Sequence, residues 1–225
     1  MKTVQSFFLF IVILGLQAQE GTITKELSSF SAVKAFDGLS VNLIQSNENK
    51  AVITGANTNK VAIVNNGGVL KLRMEIDKIF SGYRTFIDLY HSGELKILDT
   101  NEDARIFSKN TFSQNILELK AQEGGELEIN CQVEQLLIKA VTGGEVMTKG
   151  FSKNQDVIIN TGGEYIGKEF KTEFTTISVN AGGRASVYAT EYIKATVKAG
   201  GLVEVYGDPE KMDEKKVFGG KIKRM

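Results

Sequence analysis

Cysteine, proline, histidine and tryptophan are almost missing from this chain. Its 225 residues include one cysteine, one proline, one histidine and no tryptophan. An intramolecular disulfide is therefore excluded, and we expect Cys131 to be a small apolar filler near a strand end. His91 has no second histidine and no cysteine cluster with which to bind zinc, so we expect a surface or turn residue. The sequence predicts no metal site, no cofactor and no catalytic residue.

Neither sign of charge is in excess. The chain has 27 Lys and Arg residues against 27 Asp and Glu residues, which gives a formal net charge of +0. Proteins that bind nucleic acid through its phosphates carry a basic excess. We therefore expect no nucleic-acid partner.

A single long apolar run lies near the N-terminus. It covers residues 7–16, follows Lys2 and leads into Leu16-Gln17-Ala18, which fits a small-residue cleavage site. This run is too short for an ordinary membrane span. We predict a signal peptide over residues 1–18 and a mature chain over residues 19–225 without a membrane span. After export the mature chain would be located in the periplasm, at the cell surface or outside the cell.

Glycine, in contrast, is abundant and occurs in regularly spaced pairs. The first members of successive pairs are 18 to 20 residues apart. The six pairs are Gly124-Gly125, Gly143-Gly144, Gly162-Gly163, Gly182-Gly183, Gly200-Gly201 and Gly219-Gly220. A further pair, Gly67-Gly68, precedes the first by 57 residues, which is three times 19, so the period could extend back that far. A fixed period of about 20 residues is typical of a solenoid.

The residues on both sides of each pair alternate between apolar and polar. Apolar residues stand five and three residues before the pairs, as in Leu119/Ala121 and Ile177/Val179, and alternation resumes after each pair. Such alternation is typical of strands with one buried face. The sequence therefore predicts an all-β, single-domain parallel β-solenoid, right-handed, in which each repeat is strand, Gly-Gly corner, strand. An antiparallel sandwich is the alternative.

The repeat pattern is more regular in the C-terminal half of the chain than in the N-terminal half. Residues 117–222 contain the regular Gly-Gly repeats, whereas residues 30–75 alternate less regularly and are predicted to be strands that cap the first coil. The rungs between residues 75 and 116 are not predicted. Pro209, in Tyr206-Gly207-Asp208-Pro209, is expected to lie in a turn that closes the stack.

Several short segments together resemble a known family. They are Phe36-Asp37-Gly38-Leu39 leading into Val41, the Gln45-Ser46-Asn47 turn, Gly55-Ala56-Asn57, the Ala-Gly-Gly corners at 181–183 and 199–201, Gly207-Asp208-Pro209 and Gly219-Gly220. With these segments, residues 30–222 resemble the exported proteins of Bacteroidota called "putative auto-transporter adhesin, head GIN domain", formerly a domain of unknown function. The resemblance implies a β-solenoid outside the inner membrane and a role in surface adhesion. It supplies no catalytic residues.

Two groups of residues are candidates for a binding site. The first is an outward column five residues after the corners, which contains Lys149, Lys168, Tyr188 and Tyr206. Basic and aromatic side chains in a row suit sugar stacking or an anionic glycan, although tyrosines also stack simply because they pack well across strands. The second is the aromatic-rich segment 79–86, with Tyr83 and Arg84. It could protrude as a recognition loop or fold back as a plug.

Another column, directly after the corners, contains Glu126, Glu145, Glu164 and Arg184. Stacked carboxylates raise one another's pKa and could supply a catalytic acid. We expect instead a row of charged side chains that water solvates on the outer face.

The leading hypothesis is an exported, non-enzymatic binding or adhesion module that presents a rigid face to a glycan, an envelope component or a protein partner. A polysaccharide-active β-helix enzyme and an envelope structural or assembly protein are the alternatives. Neither the ligand nor the oligomeric state is predicted.

Overall fold

A computed structural model describes residues 21–225. The predicted signal peptide, residues 1–18, lies outside the described residues. The chain forms a parallel β-solenoid of about seven turns, which confirms the predicted fold class. The 16 strands within the described residues belong to one continuous sheet.

The strands have the following bounds. They are β1 (Ile23–Glu26), β2 (Ala32–Ala35), β3 (Ser40–Gln45), β4 (Lys50–Gly55), β5 (Val61–Asn66), β6 (Val69–Met74), β7 (Thr85–His91), β8 (Ile97–Thr100), β9 (Arg105–Gln122), β10 (Glu126–Val141), β11 (Glu145–Asn160), β12 (Glu164–Val179), β13 (Arg184–Lys198), β14 (Leu202–Tyr206), β15 (Lys211–Val217) and β16 (Lys221–Arg224). Short 3₁₀ turns cover Thr58–Lys60, Ile76–Lys78 and Gly82–Arg84.

The long strands β9 to β13 stack in parallel, each about one coil after the last. In β10 and β11, for example, Leu127 pairs with Val146 and Ile138 pairs with Val157. Equivalent residues of successive coils therefore stand directly above one another, and their inward side chains form one continuous buried core. The inward columns predicted from the sequence are confirmed.

Each coil turns at a second place that the sequence did not predict. In β10 the buried residues Leu127 to Val133 occupy odd positions, and Leu136 and Ile138 occupy even ones. Glu134 and Gln135 both lie outside this alternation, so two consecutive side chains avoid the core and the chain bends. The inward faces on either side of this bend then pack against each other across the coil.

The two glycines of each pair have different tasks. At the β10–β11 corner Thr142 and Gly143 have positive φ angles, 51° and 75°, and open space surrounds Gly143 where a Cβ would lie. Gly144 has no positive φ, but a Cβ there would overlap the backbone of Ala121 in the preceding coil. The first glycine therefore supplies the conformation of the corner, and the second supplies the space between stacked backbones.

Gly67-Gly68 is not a solenoid corner. These residues connect β5 and β6, which pair antiparallel from Val61/Met74 to Asn66/Val69. Both glycines have positive φ, 59° and 82°, as a tight two-residue hairpin turn requires. The predicted extension of the 19-residue period to this pair is wrong, because its spacing coincides with the period by chance.

The two ends of the sheet differ from its middle. At the N-terminal end β1 and β4 are antiparallel to their neighbours, and β3, β7 and β9 continue the parallel pairing. At the C-terminal end β15 pairs with β13, and β16 pairs with β14. Pro209 precedes both β15 and β16. The expectation that Pro209 closes the stack is therefore wrong, since one further partial coil follows it.

A chain of polar side chains crosses the core between the two walls of the coil. The Tyr165 side chain is fully buried, and its hydroxyl lies 2.7 Å from the Thr148 hydroxyl. The Gln155 amide donates to the same Tyr165 oxygen at 2.7 Å. Burial raises the pKa of Tyr165, so the phenol stays protonated and can donate to Thr148. Cys131 is also in the core, and burial raises the pKa of its thiol to about 12.

A buried carboxylate anchors the segment between β6 and β7. Asp37 accepts hydrogen bonds from the backbone N–H groups of Met74, at 3.0 Å, and Phe80, at 3.4 Å. Glu102 lies close by, and its Oε2 atom is buried without a hydrogen-bond partner among the described residues. Desolvation, and then the charge of Asp37, raise the pKa of Glu102.

The raised pKa of Glu102 predicts a specific pH dependence of stability. The folded state holds the proton of Glu102 more tightly than the unfolded state does, so this group favours folding at acidic pH. That contribution is lost as pH rises from the unfolded pKa through the raised folded pKa. We expect Glu102→Gln to stabilise the protein at pH 7 and to flatten its unfolding free energy against pH above pH 4. Chemical denaturation at several pH values would measure this, and equal curves for both proteins would contradict it.

Candidate functional site

An outward row of aromatic and polar side chains runs across six consecutive strands. Backbone pairing aligns each member with the next, from β9 to β14. The row, called here the outer row, consists of Ser113, Gln132, Phe151, Lys171, Tyr188 and Tyr206. At the usual strand spacing its length is about 24 Å. Phe151 is 43% exposed, and the Lys171 ammonium lies 5.9 Å from the centre of the Tyr188 ring.

The predicted Lys-Tyr column is only partly aligned. Tyr188 and Tyr206 are direct neighbours, as expected, but the partner of Tyr188 in β12 is Lys171 and not Lys168. The register of β12 shifts between Ile166 and Lys171, because extra residues bulge out of the ladder there. Lys149 lies beside Asn130 in a neighbouring row, and its ammonium is 3.1 Å from the carboxylate of Glu169.

Lys168 nevertheless lies near one member of the outer row. Lys168 and Tyr206 line a shallow groove of about 290 Å³ together with Glu164, Arg184 and Glu204. Of the four residues in the predicted column, the structure thus brings Lys168, Tyr188 and Tyr206 to one stretch of the surface. Lys149 belongs to a different local environment.

The aromatic segment 79–86 lies largely on the surface. The N–H groups of Phe80 and Gly82 donate to Asp37, and Gly82 and Thr85 are buried. Tyr83 is 56% exposed, and its hydroxyl donates to the Asp103 carboxylate at 2.8 Å, which raises the pKa of Tyr83. The Tyr83 ring lies against Gly38, where a Cβ would be 3.0 Å away. Arg84 is exposed next to it. Neither side chain fills the solenoid core.

The glutamate column has an arginine at each end. Arg105, Glu126, Glu145, Glu164 and Arg184 are in register on successive strands. Partial burial, and then the charges of Glu164 and Glu126, raise the pKa of Glu145. All five side chains lie on the outer face and are exposed or half-buried. Within residues 21–225 no group of His, Cys, Asp or Glu is arranged to hold a metal ion.

A polar cavity of about 270 Å³ lies where the segment after β7 meets β9. This junction cavity is lined chiefly by Gln45, His91, Asn110, Thr111, Phe112 and Gln114. The rings of His91 and Phe112 are parallel, with centroids 6.0 Å apart. His91 is 5% exposed, and burial lowers its pKa, with a partly opposing effect of the hydrogen bond to Gly93. The expectation that His91 is a surface or turn residue is therefore wrong.

The junction cavity continues into an open groove of about 500 Å³. Ser113 and Gln114 line both spaces, and Gln132 and Phe151 line the groove. The first three members of the outer row are thus part of this groove. No motif in the sequence marks the cavity, because its walls come from β3, from the loop after β7 and from β9.

Residues 29–209 match the family model described as "Putative auto-transporter adhesin, head GIN domain". The chain belongs to this family. The match covers the outer row and the junction cavity, so both lie within the GIN domain. No curated protein matches the sequence significantly.

Solved structures with the same fold come from Bacteroides and Parabacteroides. A "putative adhesin" from Bacteroides fragilis has a TM-score of 0.83 at 18% identity, with 92% of this chain and 98% of that chain covered. A "putative lipid binding protein" from Parabacteroides distasonis has a TM-score of 0.67 at 18% identity, with 91% and 96% covered. A "putative adhesin" from Parabacteroides merdae has a TM-score of 0.63 at 17% identity, with 91% and 95% covered. At such identities the likeness establishes the fold of the GIN domain alone.

The part of the chain that the structure describes contains no helix long and apolar enough to cross a membrane. The GIN domain itself is built almost entirely of strands.

Proposed function

We propose that this protein is an exported, non-enzymatic binding module that holds a glycan chain of the cell envelope or cell surface along its outer row. The adhesin description of the family and of similar solved structures supports a binding role. The signal peptide proposed for residues 1–18 supports export. The glycan as ligand rests on the surface chemistry of the solenoid.

The observation that carries the proposal is the composition of the outer row. Phe151, Tyr188 and Tyr206 offer aromatic surfaces to the apolar faces of sugar rings, and Gln132 and Lys171 offer hydrogen-bond donors to hydroxyl groups. The row stands on hydrogen-bonded strands with the repeat of a β-sheet, so its backbone needs little ordering on binding. An extended polymer is the ligand that such a row contacts over its whole length.

The alternative functions have less support. Glycoside cleavage requires two carboxyl groups placed on either side of the bond that breaks, whereas Glu126, Glu145 and Glu164 lie side by side on an outer face. End-to-end assembly would need uncapped coils that accept one another. The last strands, β15 and β16, carry many charged residues, which oppose edge-to-edge pairing.

We predict that loss of two aromatic side chains from the outer row abolishes most glycan binding. Wild-type protein should bind a subset of bacterial or host glycans on an array saturably. In Phe151→Ala/Tyr206→Ala each lost ring contact removes about 1 kcal/mol, so affinity should fall on the order of tenfold or more.

The matched control is Phe218→Ala, which removes an aromatic side chain that is 87% exposed and lies at the last corner, away from the outer row. This variant should bind like the wild type. Saturable binding that is unchanged in the double variant, or binding to no glycan at all, would contradict the proposal.

A further inference from the structure

The outer row ends at the junction cavity. Ser113, the first member of the row, lines both the cavity and the open groove. Beyond Ser113 the cavity is lined by the stacked rings of His91 and Phe112 and by Gln45 of β3. A chain lying along the row would therefore direct one of its ends into the cavity.

We propose that the junction cavity binds the uncharged terminal sugar of a glycan chain and so selects chains by their end. This proposal rests on the proposed function, since the outer row holds the remainder of the chain. It adds a second, separate site with its own ligand preference.

The polar groups of the cavity match hydroxyl groups. Gln45, Asn110 and Gln114 carry side-chain amides, and Thr111 and Ser113 carry hydroxyls. The Gln114 amide nitrogen is already bonded to two backbone carbonyls, so Gln114 offers its acceptor oxygen. The other four groups both donate and accept hydrogen bonds, as sugar hydroxyls do. An ammonium group can only donate and a carboxylate can only accept. An acyl chain would instead require an apolar lining.

The charges around the cavity disfavour anions. Glu94 is the single residue with a full charge among the described residues that line it. Burial lowers the pKa of His91, so the neutral imidazole is favoured at neutral pH, and its Nδ1–H donates to the Gly93 carbonyl oxygen at 2.9 Å. Its other ring nitrogen is then an acceptor. An acidic sugar would meet repulsion from Glu94 without a compensating cation.

The cavity is preformed and has the size of a small ligand. Its volume of about 270 Å³ lies near the lower end of the range for ligand pockets, roughly 300 Å³. One wall is fixed because the Gln114 amide donates to the carbonyl oxygens of Leu95, at 2.9 Å, and Ile116, at 2.6 Å. A third hydrogen bond, from the Ser92 N–H to the Asn49 side chain at 2.9 Å, holds the loop after β7. A single sugar ring can enter while the groove of about 500 Å³ receives the next units.

Filling the cavity tests the proposal. Thr111 is exposed on β9 and lines the cavity, so Thr111→Trp should occupy it without disturbing the core. The probes are pairs of array glycans with the same core chain, one ending in a neutral hexose and the other in the corresponding uronic acid. We expect wild-type protein to bind the neutral end at least tenfold more tightly. Thr111→Trp should reduce that binding at least tenfold.

Two further variants complete the experiment. Asn130 pairs with Thr111 on the neighbouring strand β10 and lines neither the junction cavity nor the open groove. The control variant Asn130→Trp therefore adds the same indole ring outside both, and it should bind like the wild type. Asn110→Leu removes one lining amide without filling the cavity and should also weaken binding of the neutral end. Glycan binding that persists unchanged in Thr111→Trp would overturn the cavity proposal and leave the outer row intact. Binding lost only in Phe151→Ala/Tyr206→Ala would do the same.

Discussion

Replacing Gly144 by alanine is expected to destabilise the protein by about 3 kcal/mol or more. The new Cβ would overlap the backbone of Ala121 and Gln122 in the preceding coil, and backbone atoms cannot rotate away as a flexible side chain can. The coils would have to separate at this corner. That separation strains the hydrogen bond from the Glu145 N–H to the Gly125 carbonyl oxygen of the preceding coil, which is 2.9 Å long.

The neighbouring glycine supplies the control. Gly143 has φ of 75° and no atom within 4 Å of a Cβ, so Gly143→Ala adds only the strain of a left-handed residue, about 1–2 kcal/mol. Gly143→Asn should cost less, because asparagine tolerates this conformation. Equilibrium denaturation of the three variants measures the difference. Equal losses for Gly143→Ala and Gly144→Ala would contradict the division of tasks between the two glycines.

Tyr165→Phe is expected to cost about 2–3 kcal/mol, although it removes a single oxygen atom. That oxygen is the hydrogen-bond partner of both Thr148 and Gln155 within the core. The Oε1 atom of Gln155 is already buried without a partner among the described residues. Loss of the Tyr165 oxygen would therefore leave the amide nitrogen of Gln155 without its hydrogen-bond partner as well. A buried polar group without a partner keeps its full desolvation cost.

A surface tyrosine provides the comparison. Tyr192 donates to the Asp213 carboxylate at 2.7 Å, but this pair is exposed to water. Tyr192→Phe should therefore leave the midpoint of thermal unfolding nearly unchanged, because water replaces the lost partner. If Tyr165→Phe behaved in the same way, the polar chain across the core would have no role in stability.

The repeats determined how well the fold could be predicted. Inward apolar residues recur in phase with the Gly-Gly pairs, so Leu127 and Val146 had to occupy equivalent positions in successive coils. The register of the outward residues was harder to predict. Gly162 and Gly182 are 20 residues apart, whereas the two preceding intervals are 19, and the spacing alone does not show where an added residue leaves the ladder. The bulge after Ile166 therefore placed Lys171, and not Lys168, beside Tyr188.

The candidate site was less accessible to sequence reasoning. Tyr188 and Tyr206 follow their corners at equal distance and were found from that spacing. His91 and Phe112 come from β7 and β9, and they meet only because the irregular N-terminal strands pack beside the first regular coil. Their contact follows no period and no local motif. The sequence gives no signal for a cavity formed in this way.

Locating the bound glycan on the protein tests the proposed binding site most directly. Backbone amide chemical shifts would be followed while the purified protein is titrated with the array glycan that it binds most tightly. We predict that the changes concentrate at Gln132, Phe151, Lys171 and Tyr188 on the outer row and at Asn110 and Thr111 in the junction cavity. Changes concentrated instead at Glu126, Glu145 and Glu164, or in the segment 79–86, would contradict it.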